Sequence, residues 1–122
     1  MPRYPGLTLR VLGAVEPAMG PGRAALIGQI EKTGSISAAA RAMGMSYRRA
    51  WQLVDALNAS FKEPVVLTAV GGKRGGGAQV TACGRRLVRL YHKMEDRASA
   101  AIVADLTEFV AHLRKPLRRK AR

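Results

Sequence analysis

The chain has 122 residues with 21 Lys and Arg against 8 Asp and Glu, a formal net charge of +13. That length leaves room for one domain plus an extended element but not for two full domains, and that charge favours a polyanion, nucleic acid before an anionic membrane surface. A content of 48% hydrophobic residues excludes a disordered basic tail, the single cysteine Cys83 excludes an internal disulfide framework and fits a reducing cytoplasm, and no segment approaches the roughly 20 apolar residues of a membrane span or the apolar run of a signal peptide.

Taken in order, Leu7, Leu9 and Val11 alternate with Thr8 and Arg10, which predicts a short strand with no hairpin partner in view. Residues 16–22 hold Pro17, Pro21 and two glycines and read as a connection, although Pro21 also suits the first turn of a helix, where a missing N–H costs nothing. Leu26, Ile27 and Ile30 recur at helical spacing from about Gly22 to Lys32, and Gly34 stands where a left-handed C-terminal cap is wanted. Ser35 or Ser37 can cap the alanine-rich helix that follows, capping being the main role read for Ser37. Gly44 ends that helix, Met45 tucks toward the core, and Ser46 is placed to cap a third.

The third helix, roughly Tyr47 to Phe61, carries the clearest geometry. Ala50, Leu53, Val54, Leu57 and Phe61 fall on one stripe when successive residues are turned by about 100°. Arg48, Gln52 and Asp55 lie opposite, flanked by Arg49 on one side and by Tyr47 and Trp51 on the other. Glu63-Pro64 stops the helix, and Val65 to Val70 and Ala78 to Thr81 read as two strands around a glycine-rich tip, Gly71 to Gly77. A hairpin after a helix-turn-helix is a wing. Thr81 can cap a last helix of about thirty residues, whose apolar positions recur at three and four. Such a helix is too long to bury its stripe on one small domain, so Leu87, Leu90, Tyr91, Met94, Ala98, Ile102 and Phe109 are expected to pair with a second copy.

The expected architecture is mainly α with a small β-hairpin, a winged helix-turn-helix with a long C-terminal dimerisation helix. Residues 1–113 form the DNA-binding domain and residues 114–122 a basic tail. Arg48, Arg49 and Gln52 are the candidate base readers, since arginine matches the two acceptors of guanine and glutamine the donor and acceptor of adenine. Ser35 and Ser37 are candidate phosphate contacts, Tyr47 is a candidate phosphate contact with core packing as its alternative, Ser46 is counted with the DNA-binding residues as the cap of the third helix, and Trp51 reads as structural. Lys73 and Arg74 sit on the tip, where five glycines leave the backbone free to approach a phosphate or a minor groove. The tip lacks the phosphate-loop pattern G-x-x-x-x-G-K-[ST] and joins two strands, which argues against nucleotide binding.

Cys83, His92 and His112 have no metal-ligand spacing, and no acid, base or nucleophile set can be named, so neither a metal site nor an enzyme is expected.

GSISAAARAMGMSYRRAW (34–51) resembles the helix-turn-helix of LysR-type regulators. It resembles more closely the DNA-binding domain of the ModE molybdate-responsive regulators. That family's SY-basic-x-AW signature appears as Ser46, Tyr47, Arg48, Arg49, Ala50 and Trp51. Its wing signature appears as GGKRGGGA (71–78), followed by T-x-x-G-x-R-L as Thr81, Gly84, Arg86 and Leu87. The resemblance covers about Leu7 to Ile102 and implies a cytoplasmic transcription regulator that binds double-stranded DNA as a homodimer. Full-length members continue into tandem molybdate-binding domains, whereas this sequence ends in a basic tail. No cofactor is therefore expected within it, molybdate being implied by the resemblance alone, and a separate effector-sensing protein is admitted as a partner. Two other readings stay open: an architectural, nucleoid-type DNA binder without sequence preference, and a winged-helix protein-interaction module.

Overall fold

The computed structural model describes residues 6–69 and 77–115. The expected tip residues Lys73 and Arg74, and the tail from residue 116 on, lie outside the described residues. The architecture is mainly helical with a small antiparallel hairpin, as the pattern of apolar positions implies.

Two short strands come first, β1 (Val11–Leu12) and β2 (Pro17–Met19), antiparallel with Val11 opposite Met19. This corrects the expectation of an unpaired strand followed by a connection. The chain reverses because the Gly13 amide donates to the Glu16 carbonyl at 2.9 Å, so tightly that a Cβ at residue 13 would lie 2.7 Å from that oxygen. Pro17 is tolerated because a two-stranded hairpin leaves edge positions where no amide hydrogen is needed.

Helix α1 (Pro21–Thr33) begins with proline in its first turn and buries Ala24, Leu26, Ile27 and Ile30. Gly34 ends it at φ +71°, its amide donating to the Ile30 carbonyl at 2.7 Å. Helix α2 (Ile36–Ala42) is capped by Ser35, whose Oγ accepts from the Ala38 amide at 3.1 Å. Ser37 is therefore not the cap. It is the second residue of the helix, and its Oγ accepts from Arg41 Nη1 at 3.0 Å.

Gly44, at φ +67°, reverses the chain, and Ser46 caps helix α3 (Tyr47–Ser60) by accepting from the Arg49 amide at 3.0 Å. Helices α2 and α3 pack through Ala39, Ala40 and Ala50, all buried. Side chains this small let two short helices approach closely enough to share one core with Val54 and Leu57.

Strands β3 (Val66–Thr68) and β4 (Ala78–Val80) pair antiparallel, Val66 opposite Val80 and Thr68 opposite Ala78. Their inward residues Val66, Ala78 and Val80 join the core, as does Val65 just before β3. The hairpin is also tied to the first helix, because the Ala78 amide donates to the Gly34 carbonyl at 2.9 Å.

Thr81 caps helix α4 (Ala82–Ala101) by accepting from the Gly84 amide at 2.9 Å, and its hydroxyl donates to the Pro64 carbonyl at 2.7 Å. The expected single helix of about thirty residues is broken. At Ile102, with φ −114° and ψ 13°, α4 stops and a separate helix α5 (Val103–Ala111) starts. Beyond Glu95 no described residue is buried, so no core contact holds the ladder straight through residue 102.

Candidate nucleic-acid interface

The N-terminal end of α3 sets an apolar inner side in the core against an exposed polar and basic outer side. Its inner side, Ala50, Val54 and Leu57, is anchored in the core at 0–1% exposure. Half-buried Leu53 and Phe61 pack against that core. The opposite side turns Arg48, Arg49 and Gln52 to solvent. Tyr47 is 55% exposed and meets half-buried Trp51 edge-on, with ring centroids 6.1 Å apart. Trp51 packs against the core and so steadies the ring of Tyr47 on the rim of the exposed face.

Ser46 has its Oγ engaged by the Arg49 amide, which fixes the first turn and with it the directions of Arg48 and Arg49. The start of a helix also carries positive potential from its free amides. The two serines of the α2 cap region are half-buried and already hydrogen-bonded. In this conformation a phosphate would share those hydroxyls rather than find them idle.

A residue that the sequence reading missed ties α3 to the β3–β4 hairpin. Asn58, in the last turn of α3, accepts at Oδ1 from the amides of Val65 at 2.8 Å and Val66 at 3.1 Å, and donates from Nδ2 to the Val66 carbonyl at 3.0 Å. Its side chain acts as a one-residue strand against the start of β3. The signal was a polar residue next to Leu57 and four after Val54, at the edge of the apolar stripe, where a solvated amide has no reason to be.

The apolar positions expected to face a second copy divide into groups. Tyr91 is 2% exposed, and its hydroxyl donates to the Leu9 carbonyl at 2.7 Å. It pins the N-terminal segment across α4 and is buried in its own chain. Leu87 packs partly against the core, and Ala98 and Ile102 are half-buried. Leu90 at 41%, Met94 at 43% and Phe109 at 68% remain exposed, together with Val103 and Leu113. Leu90 and Met94, four apart, share one face of α4.

Cys83 is a half-buried free thiol. Desolvation first, and then hydrogen bonding and charge from Glu63, push its pKa above the ordinary value, so the protonated thiol is favoured and nucleophilic chemistry disfavoured. Among the described residues no three His, Cys, Asp or Glu side chains converge as a metal site, and no helix is long and apolar enough to cross a membrane.

No protein-family model matches the chain. It is 48% identical over 90 residues to the molybdenum-pterin-binding protein MopB of Rhodobacter capsulatus, covering 74% of this chain and 32% of that protein. It is 39% identical over 88 residues to the molybdenum transport protein ModE of Azotobacter vinelandii, covering 72% and 33%. It is 42% identical over 71 residues to the DNA-binding transcriptional dual regulator ModE of Escherichia coli K12, covering 58% and 27%. The chain thus spans about a third of the length of the curated relatives it matches, and over 58–74% of its own length it is homologous to ModE and MopB proteins.

Proposed function

We propose that this chain is the sequence-specific DNA-binding unit of a ModE-type transcription regulator. The observation that supports it most is the exposed Arg48, Arg49 and Gln52 set on the capped first turns of a helix whose other face is locked in the core. In this reading α3 enters the major groove, where Arg48, Arg49 and Gln52 read base edges, and the wing with Lys73 and Arg74 holds backbone or minor groove. Ser35, Ser37 and Tyr47 add phosphate contacts. Two copies join through the exposed faces of α4 and α5 and place two α3 helices in successive major grooves about 34–36 Å apart. The name of the Escherichia coli relative supports DNA as the partner.

The relatives' names connect the proposed regulator with molybdenum. Among the described residues, a feature with oxyanion chemistry is an open groove lined by Arg10, Arg23 and Arg49 beside α3. An open, charged wall beside a DNA-reading helix suits a phosphate on a duplex better than an enclosed free anion. Calorimetric titration of the isolated chain with molybdate is accordingly expected to show no saturable heat.

A gel-shift competition against genomic fragments tests the main reading. Retention of a few fragments against excess bulk DNA is the expected result. Uniform retention of all fragments would favour an architectural binder instead, and no retention would favour a protein-interaction module.

A further inference from the structure

A groove of about 420 Å³ runs beside the recognition helix, between the first hairpin, the start of α1 and the flank of α3. Its lining includes Arg10, Arg23 and Arg49, with Gly20, Pro21 and Gly22 between them. A side chain at residue 22 would meet nothing within 4 Å, so the backbone there is open to close approach. Arg49 belongs to both this groove and the proposed base-reading face, which makes the two surfaces continuous.

The charges of the groove are only partly answered from within the chain. Arg23 is held in place, its side chain 14% exposed and its Nη2 bonded to Glu16 Oε1 at 2.6 Å. Its other terminal nitrogen, Nη1, is buried and has no hydrogen-bond partner among the described residues. Among the described residues Glu16 therefore answers one of three guanidinium groups, leaving the positive charges of Arg10 and Arg49 and an unmatched donor of Arg23. Helix α1 opens into the same wall with no side-chain cap and no acidic residue in its first turn. An arginine keeps five donors in a rigid fork suited to phosphate oxygens, and an unpaired buried donor is costly.

We propose that this groove is a phosphate clamp, in which Arg10 and Arg23 take a backbone phosphate of the same duplex whose major groove α3 enters, while Arg49 at its rim stays with the base-reading face. The proposal rests on the DNA-binding reading and deepens it. The clamp fixes how far α3 rotates on the duplex, a role that carries no sequence information of its own. It enlists the N-terminal hairpin, which the sequence pattern does not connect with DNA.

Fluorescence anisotropy of the full chain with a selected duplex and a scrambled duplex, each over a series of salt concentrations, tests it. Because Arg23 also supports the fold, Arg10→Ala is the first variant and Arg10→Lys the rescue, with circular dichroism confirming the fold of each. Loss of one phosphate contact is expected to flatten the log–log salt slope by about 0.9 and to weaken both duplexes alike, by about 3–10-fold at moderate salt. Arg10→Lys should recover most of that loss.

Unchanged slope and affinity in folded Arg10→Ala would overturn the clamp while leaving DNA binding intact. Loss confined to the selected duplex would overturn it too, by making Arg10 a base reader. So would saturation of the wild-type groove by micromolar inorganic phosphate, since the site would then be built for a free anion. Failure of the wild-type chain to bind either duplex would remove the underlying reading and the clamp together.

Discussion

Asn58 and Val66 face one another as if they were neighbours in a sheet: the Asn58 amide nitrogen donates to the Val66 carbonyl at 3.0 Å, and its oxygen accepts from the Val66 amide at 3.1 Å. With a further bond from the Val65 amide at 2.8 Å, the end of α3 and the start of the β3–β4 hairpin become one rigid piece. Truncating Asn58→Ala leaves partly buried backbone groups unpaired and is expected to cost about 2–4 kcal/mol. Asn58→Asp keeps the acceptor but sets a carboxylate oxygen against the Val66 carbonyl, and should destabilise as well. Chemical denaturation checks both, and a loss below about 0.5 kcal/mol for Asn58→Ala would show that the Asn58 hydrogen bonds contribute little.

Two glycines in helices should respond in opposite directions to the same substitution. A Cβ at Gly84 would lie 2.6 Å from the Val65 carbonyl oxygen and 2.9 Å from Val80 Cγ1, so Gly84→Ala forces α4 off the hairpin at a cost of about 1–3 kcal/mol. Gly28 stands in mid-α1 with nothing within 4 Å of its missing Cβ. Gly28→Ala should stabilise by about 0.5–1 kcal/mol through helix propensity. Thermal melts of the two variants read the signs directly.

Much of this was legible from residue spacing, and the failures have physical causes. Helices α1 to α3 stood out because their caps are local: Gly34, Gly44 and Ser46 act within four residues of themselves. The hairpin at Val11–Met19 did not, because it is held by a carbonyl–amide contact at Gly13 and by long-range packing rather than by an alternating pattern. Tyr91 fitted an apolar stripe, and periodicity cannot tell a face turned to a partner from one turned to residue 9. Ser37 lost the cap to Ser35 by two residues, a choice that depends on backbone angles. Asn58 and the Arg10, Arg23 and Arg49 groove join residues far apart in the chain, which spacing alone does not show.

Dimerisation and folding should separate cleanly on α4. Leu90→Asp or Met94→Asp, at exposed apolar positions, is expected to shift the chain toward monomer in analytical ultracentrifugation with little change in monomer stability. Tyr91→Phe removes the donor to Leu9 and should cost about 1–2 kcal/mol while leaving the association state unchanged. A Tyr91→Phe chain that dissociates without losing stability would mean that the interface has been placed on the wrong side of the helix.

Burial and Glu63 hold the Cys83 thiol in its protonated form. The thiolate attacks and the thiol does not, so alkylation of Cys83 at pH 8 should run slower than that of a free cysteine peptide. Glu63→Gln removes the like-charge contribution and should speed it. Thiol titration by absorbance at 240 nm should show Cys83 ionising at higher pH than a free cysteine peptide. Because this raised value favours the proton-bound folded state, any contribution to stability is present at neutral pH and lost as pH rises through the thiol's titration.

The central claim is that Arg48 on α3 reads bases while the wing and clamp hold phosphates. Anisotropy titrations of wild type, Arg48→Ala and Lys73→Ala, on a selected duplex and its scrambled counterpart at two salt concentrations, test it most directly. Arg48→Ala should reduce the preference for the selected duplex by about 1–3 kcal/mol, whereas Lys73→Ala should weaken both duplexes alike and flatten the salt slope. A wild-type affinity indifferent to both sequence and salt would contradict the account.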